Sequence, residues 1–183
     1  MFFLILITLL ILQRLVELGI AKRNEKWMKS KGAIEVGQEH YKYIVSVHIL
    51  FFISLLFEVS YFGKSFSPLW GVFFSFFVVA QLLRAWSLQS LGRFWNTKII
   101  ILPNVNIISK GPYKYIRHPN YLVVVIELLV VPLIFNAFWT ALIFSVLNLI
   151  VLSIRIPMEE QALMEETNYK SVFFHRSRFT PSK

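Results

Sequence analysis

YLVVVIELLVVPLIF, Tyr121–Phe135, and AFWTALIFSVLNLIVLSIRI, Ala137–Ile156, are apolar runs with only Asn136 between them. A helix needs about 20 apolar residues to cross a bilayer, which the second run supplies. The first is shorter and contains Pro132. Runs this close in sequence predict a tight antiparallel hairpin in lipid. Working outward, three more spans are expected at about Phe2–Ala21, Tyr43–Phe62 and Pro68–Leu88. Of the 183 residues, 56% are hydrophobic and 16% charged, too apolar for a soluble domain of this size to bury. The expected fold is therefore all-α and integral to the membrane, with about five transmembrane helices.

Loop charge predicts the orientation. Segment 22–42 holds six Lys and Arg, 63–67 one, 91–118 five, the Asn136 turn none, and the tail from Arg155 five. Basic loops stay cytoplasmic, so this alternation places the N-terminus outside and the C-terminus inside. The expected location is the cell membrane, multi-pass. The net charge of +9 then reflects retained loops rather than a nucleic-acid partner. The N-terminal run lacks a basic leader and a small-residue cleavage site, so it reads as a retained helix. There is no cysteine, hence no thiolate metal site or cysteine nucleophile. The chain is read as one domain, 1–183, with three spans in 1–90 and a catalytic core in 91–183.

Charged side chains at membrane depth need a partner or a function. Arg14 and Glu17, three apart, suit an intrahelical pair. Arg84 is expected to snorkel to the interface, and Glu58 to be solvated at the outer end of its span. Glu127 suits either a structural hydrogen bond or a site role. Asn148 and Arg155, seven apart, share a helix face, which points to a polar interior. Beyond Pro157, the two glutamates 159 and 160 suit the start of a separate short cytoplasmic helix reaching about Thr167.

Two polar motifs meet at one end of the predicted hairpin. SKGPYKYIRHPNY, Ser109–Tyr121, enters the fourth span, and RIPMEE, Arg155–Glu160, leaves the fifth. Aromatic faces, a His, an Arg and paired Glu suit an amphipathic, nucleotide-like cofactor bearing both charge signs. No G-x-G-x-x-G or Walker sequence supports a dinucleotide or P-loop site. Taken singly, Arg117 suits a lipid-phosphate or structural contact, and Trp86 and Trp95 suit belt or packing positions.

These residues resemble the isoprenylcysteine carboxyl methyltransferase family. The resemblance rests on Gly111-x-Tyr113, on RHPNY at Arg117–Tyr121, and on R-x-x-x-E-E-x-x-L at Arg155–Leu163. Asn168–Val172 and Arg178–Pro181 resemble the closing segment, although Thr167 and Asn168 stand where Phe-Gly is common. RLVELGIAKRNEKW, GAIEVGQEHY and SLGRFWNTKIIILPN are similar to a small bacterial branch that includes alkylpyrone methyltransferases.

The resemblance implies an S-adenosylmethionine-dependent O-methyltransferase with a cytoplasmic cofactor pocket. The pocket would be formed by the last hairpin, the preceding loop and the C-terminal helix. Tyr113, His118, Pro119, Asn120, Tyr121 and Glu159 would bind the cofactor. Val105, Asn106, Ile107 and Ile108 would touch it mainly through backbone, and Arg155 would hold the substrate anion. Asn120 replaces the family's usual Ser. The expected partners are membrane lipids and a lipophilic or lipidated acceptor from the bilayer, either an alkylpyrone hydroxyl or a prenylated cysteine carboxylate. A nicotinamide-dependent membrane reductase and a non-enzymatic scaffold are the competing readings.

Overall fold

The computed structural model describes residues 1–180. Pro181 of the resembling tail and Lys183 of the basic tail lie outside them. The elements in order are α1 (Phe2–Lys29), β1 (Ile34–Val36), α2 (Gln38–Tyr61), α3 (Trp70–Leu91), β2 (Ile99–Ile101), α4 (Pro119–Ile134), α5 (Phe138–Glu166) and α6 (Tyr169–Phe173). Four helical stretches are long and apolar enough to cross a membrane: Phe2–Lys29, Gln38–Tyr61, Trp70–Phe94 and Phe138–Glu166. Helix α4, with 16 residues, is shorter. At 1.5 Å per residue it extends about 24 Å.

The apolar faces explain the packing. Leu4, Leu9, Leu12 and Val16 of α1 are exposed, as are Leu142, Leu149 and Ile150 of α5, as lipid-facing positions should be. Helix α4 packs against both α3 and α5 and buries Val123, Leu128, Val131 and Ile134. At the Asn136 end Leu128, Val131 and Ile134 join Leu6, Leu10, Leu55, Phe135 and Phe144 in one core. The hairpin turn forms as expected. Asn136 adopts φ +54°, a left-handed conformation that Asn tolerates better than most residues, and its side-chain Nδ2 donates to the Ser65 carbonyl.

Four expectations are corrected. First, the fold is not purely helical: β1 and β2 pair antiparallel, with Ile34 opposite Ile101 and Val36 opposite Ile99. The run Ile99–Ile101 is β-branched and packs on Met158, Ala162 and Leu163. Second, that packing carries α5 unbroken through Pro157 to Glu166, with no new helix beginning there. Proline removes one backbone donor, which tertiary contacts can offset in such helices.

Third, Glu58 is buried, not solvated. It accepts from the amides of Trp139 (3.2 Å) and Thr140 (2.7 Å) and from the Thr140 hydroxyl (2.7 Å). A carboxylate satisfies the open donors of a helix N-terminus, here those of α5. Fourth, Arg84 does not snorkel but is only 3% exposed. It pairs with Glu17 (3.0 Å) and with Glu127, while Arg14 pairs with Glu17 (2.6 Å) and Glu127 (2.5 Å). Two guanidinium groups and two carboxylates thus balance within the bundle and join α1, α3 and α4. Gln13 and Gln81 complete the network.

Candidate active site

The first motif is shaped by Gly111. Its φ is +58°, and a Cβ there would stand 2.0 Å from Ser90 Oγ on α3. Glycine lets the following 3₁₀ turn, Gly111–Lys114, lie against α3 and bury Pro112 and Tyr113. Burial, and then the charge of Glu159, push the Tyr113 hydroxyl well above the ordinary tyrosine range. It is therefore a neutral hydrogen-bonding group at any physiological pH. His118 precedes Pro119, the first residue of α4, where the missing proline amide costs nothing.

Helix α5 meets this motif with two adjacent glutamates that do different things. Glu160 turns toward the tail. It receives His118 Nε2 at 3.1 Å, Arg117 at 3.3 Å, Arg178 at 2.6 Å and the Tyr169 hydroxyl at 3.4 Å. The amides of Arg117 and His118 also donate to the carbonyls of Ser177 and Arg178. The closing segment therefore straps the motif, and Arg117 is a structural contact. Glu159 faces inward instead and accepts from the Tyr121 hydroxyl. The same hydroxyl accepts from Arg155 Nε at 2.7 Å, and Arg155 Nη2 donates to the Thr97 carbonyl at 2.6 Å.

Most of the predicted site residues line one cavity of about 520 Å³. The segment Val105–Ile108 contributes, as do Tyr113, His118, Asn120 and Tyr121 from the first motif and Arg155 and Glu159 from the second. Pro119 is buried at the start of α4 and is not in the wall. The sequence reading missed the part played by Tyr41, His48, Trp95, Thr97 and the β2 ribbon, all of which line the same space. A histidine within an otherwise apolar run was the one available signal for His48. The cavity continues between α1 and α2, where it reaches the exposed side chains of Leu15, Leu18, Val45 and Ile49. One half is thus polar and walled by the two motifs, and the other is mainly apolar and opens onto the exposed apolar side chains of α1 and α2.

A sequence profile described as the isoprenylcysteine carboxyl methyltransferase (ICMT) family matches residues 72–165, just over half of the chain and both motifs. The chain belongs to this family. Family membership, with four helices of membrane-crossing character, makes it a membrane methyltransferase. Methyltransferases of the ICMT family use S-adenosylmethionine. Its relatives include YpbQ of Bacillus subtilis (strain 168), described as an uncharacterized protein. The two are 46% identical over 163 residues, which cover 89% of this chain and 97% of YpbQ. A second uncharacterized protein, from Haemophilus influenzae, is 31% identical over 151 residues, covering 82% of this chain and 88% of its own. The ICMT match takes in Gly111–Tyr121 and Arg155–Leu163, the segments that form the polar half of the cavity.

Proposed function

We propose that this ICMT-family protein transfers a methyl group from S-adenosylmethionine to an anionic oxygen of a lipophilic acceptor that enters from the bilayer. The observation that supports this most is the single cavity with two chemically distinct halves. Asn120 Oδ1 is a buried acceptor without a hydrogen-bond partner among the described residues, and it lies beside Tyr121 in the polar half. An amine or ammonium, both present on S-adenosylmethionine, suits it. Glu159 adds an acceptor for a hydroxyl or a positive charge, and Val105–Ile108 adds an adaptable backbone edge. When bound, the cofactor supplies a sulfonium-activated methyl, which passes to the acceptor oxygen as its bond to sulfur breaks, leaving S-adenosylhomocysteine.

The residues of this chain align and stabilise. Methyl transfer is an in-line displacement, governed mainly by positioning and electrostatics. Arg155 is held by Tyr121 and by the Thr97 carbonyl, which fixes its guanidinium plane toward the cavity. It would hold the acceptor anion in a low-dielectric wall, where such a contact is stronger than in water. An acceptor already ionised at neutral pH, a carboxylate or an acidic enol, needs no catalytic base. The family's description, isoprenylcysteine carboxyl methyltransferase, favours carboxyl methylation. The alkylpyrone reading rests on the resemblance of the early segments alone. In this account α4 is the short fourth of five crossings, which leaves every strongly basic loop and the polar half of the cavity cytoplasmic.

The test is transfer of labelled methyl from S-adenosylmethionine to a farnesylated cysteine and to a long-chain alkylpyrone by the protein in lipid nanodiscs. Labelled lipid product from either, absent with Arg155→Ala, supports the proposal. Oxidation of NADPH with a lipid acceptor, and no methyl transfer, would favour the reductase reading instead.

A further inference from the structure

Helices α2 and α5 run antiparallel and touch at a series of levels. Glu58 and Ser54 meet Thr140, with Ser54 Oγ 2.9 Å from Thr140 Oγ1. One turn on, the rings of Phe51 and Phe144 are 5.7 Å apart. The next turn of the same two faces carries His48, three residues before Phe51, and Asn148, four after Phe144. Both line the cavity.

Each keeps a side-chain nitrogen without a hydrogen-bond partner among the described residues. Asn148 is 4% exposed, and its Nδ2 donor has no hydrogen-bond partner among the described residues. His48 Nδ1 lies 2.8 Å from the Ile44 carbonyl. A carbonyl only accepts, so Nδ1 carries the proton and Nε2 of the neutral ring is a bare acceptor. A polar group left unpaired in an apolar medium is costly. The two residues do not bond each other, so a donor and an acceptor in the lining of one cavity are each left without a mate.

We infer that His48 and Asn148 recognise a hydroxyl group on the buried part of the methyl acceptor. A hydroxyl is the smallest group that answers both at once: its oxygen accepts from Asn148 Nδ2 and its proton goes to His48 Nε2. Asn148 and Arg155 are seven residues apart on one helix face, a rise on the order of 10 Å. The acceptor therefore carries two oxygens, the methylated one at Arg155 and a hydroxyl about that far along its chain. A plain hydrocarbon tail would leave both groups unpaired. This inference rests on the methyltransferase reading of the same cavity, and it specifies the acceptor more narrowly than that reading does.

Stearate and 10-hydroxystearate are matched probes, since the hydroxyl of the second stands about the required distance from the carboxylate. Their binding would be measured on the full chain in detergent, saturated with S-adenosylhomocysteine, for the wild type, Asn148→Leu and His48→Leu. The expected result is binding of 10-hydroxystearate at least about tenfold tighter than stearate, with the preference lost in Asn148→Leu. Leucine is close to asparagine in size and suits an apolar wall. If that variant loses S-adenosylhomocysteine binding, the His48→Leu variant decides in its place. Equal binding of the two acids by the wild type, binding of neither, or a preference that survives the deciding variant overturns the inference. Failure of the wild type to bind S-adenosylhomocysteine instead removes the methyltransferase reading itself.

Discussion

The Tyr121 hydroxyl donates to Glu159 and accepts from Arg155 Nε at 2.7 Å, so one oxygen ties the first turn of α4 to two successive turns of α5. Both hydrogen bonds involve charged partners, a class worth about 1.5–3 kcal/mol each. Tyr121→Phe removes the oxygen and keeps the ring. Calorimetric affinity for S-adenosylhomocysteine should fall at least about tenfold, the equivalent of about 1.4 kcal/mol. An unchanged affinity would show that this junction does not shape the cofactor site.

Arg155→Lys separates charge from geometry. Lysine keeps the positive charge but loses the planar fork that reaches Tyr121 and the Thr97 carbonyl together. Methyl transfer should drop by at least about tenfold, while cofactor affinity stays within about threefold because Glu159 keeps the Tyr121 bond. Equal losses in both would mean that Arg155 serves the cofactor and not the acceptor.

The buried network of Arg14, Glu17, Arg84 and Glu127 should behave as a unit. Removing one partner of a buried pair leaves an uncompensated charge and costs about 3–5 kcal/mol. Glu127→Gln should therefore lower the thermal midpoint in detergent strongly, and a second change, Arg84→Gln, should restore part of the loss. Additive losses in the double variant would contradict a coupled network.

The two-stranded ribbon carries a pH-sensitive contact. Burial would raise the Glu35 carboxyl, but hydrogen bonds and charge from Lys29 and Lys98 outweigh it and hold the group below its ordinary value of 4.5. The contribution of Glu35 is then complete above 4.5 and lost as pH falls through its lower folded-state value. Lys98 is shifted up from 10.5, chiefly by its hydrogen bond to Glu25, so its part is complete below 10.5 and lost only at higher pH. Thermal midpoints should be flat for this contact between those limits. They should fall more steeply below 4.5 in the wild type than in Glu35→Gln. Parallel acid limbs would show that the contact contributes nothing.

The sequence revealed what depends on neighbours along the chain. Asn136 between two apolar runs marked the hairpin, the three-residue spacing of Arg14 and Glu17 marked their pair, and the two motifs marked one wall of the cavity. Long-range partners were not legible. From the sequence Glu58 reads as solvated because its partner Thr140 lies 82 residues away. From the sequence Pro157 reads as a helix start because the ribbon that packs on the continuing helix, Val36 with Ile99 and Ile101, comes from two earlier loops. His48 was hidden because its role appears only when α2 lies against α5. The two glutamates could be told apart only once the tail was seen to reach Glu160 through Arg178.

Calorimetric binding of S-adenosylhomocysteine to the detergent-purified protein, beside Glu159→Ala, tests the central claim most directly. The account predicts saturable binding by the wild type, weakened at least about tenfold in the variant. A folded wild type that binds no S-adenosylhomocysteine, or a variant that binds as tightly as the wild type, would contradict the assignment of the cofactor to the polar half of this cavity.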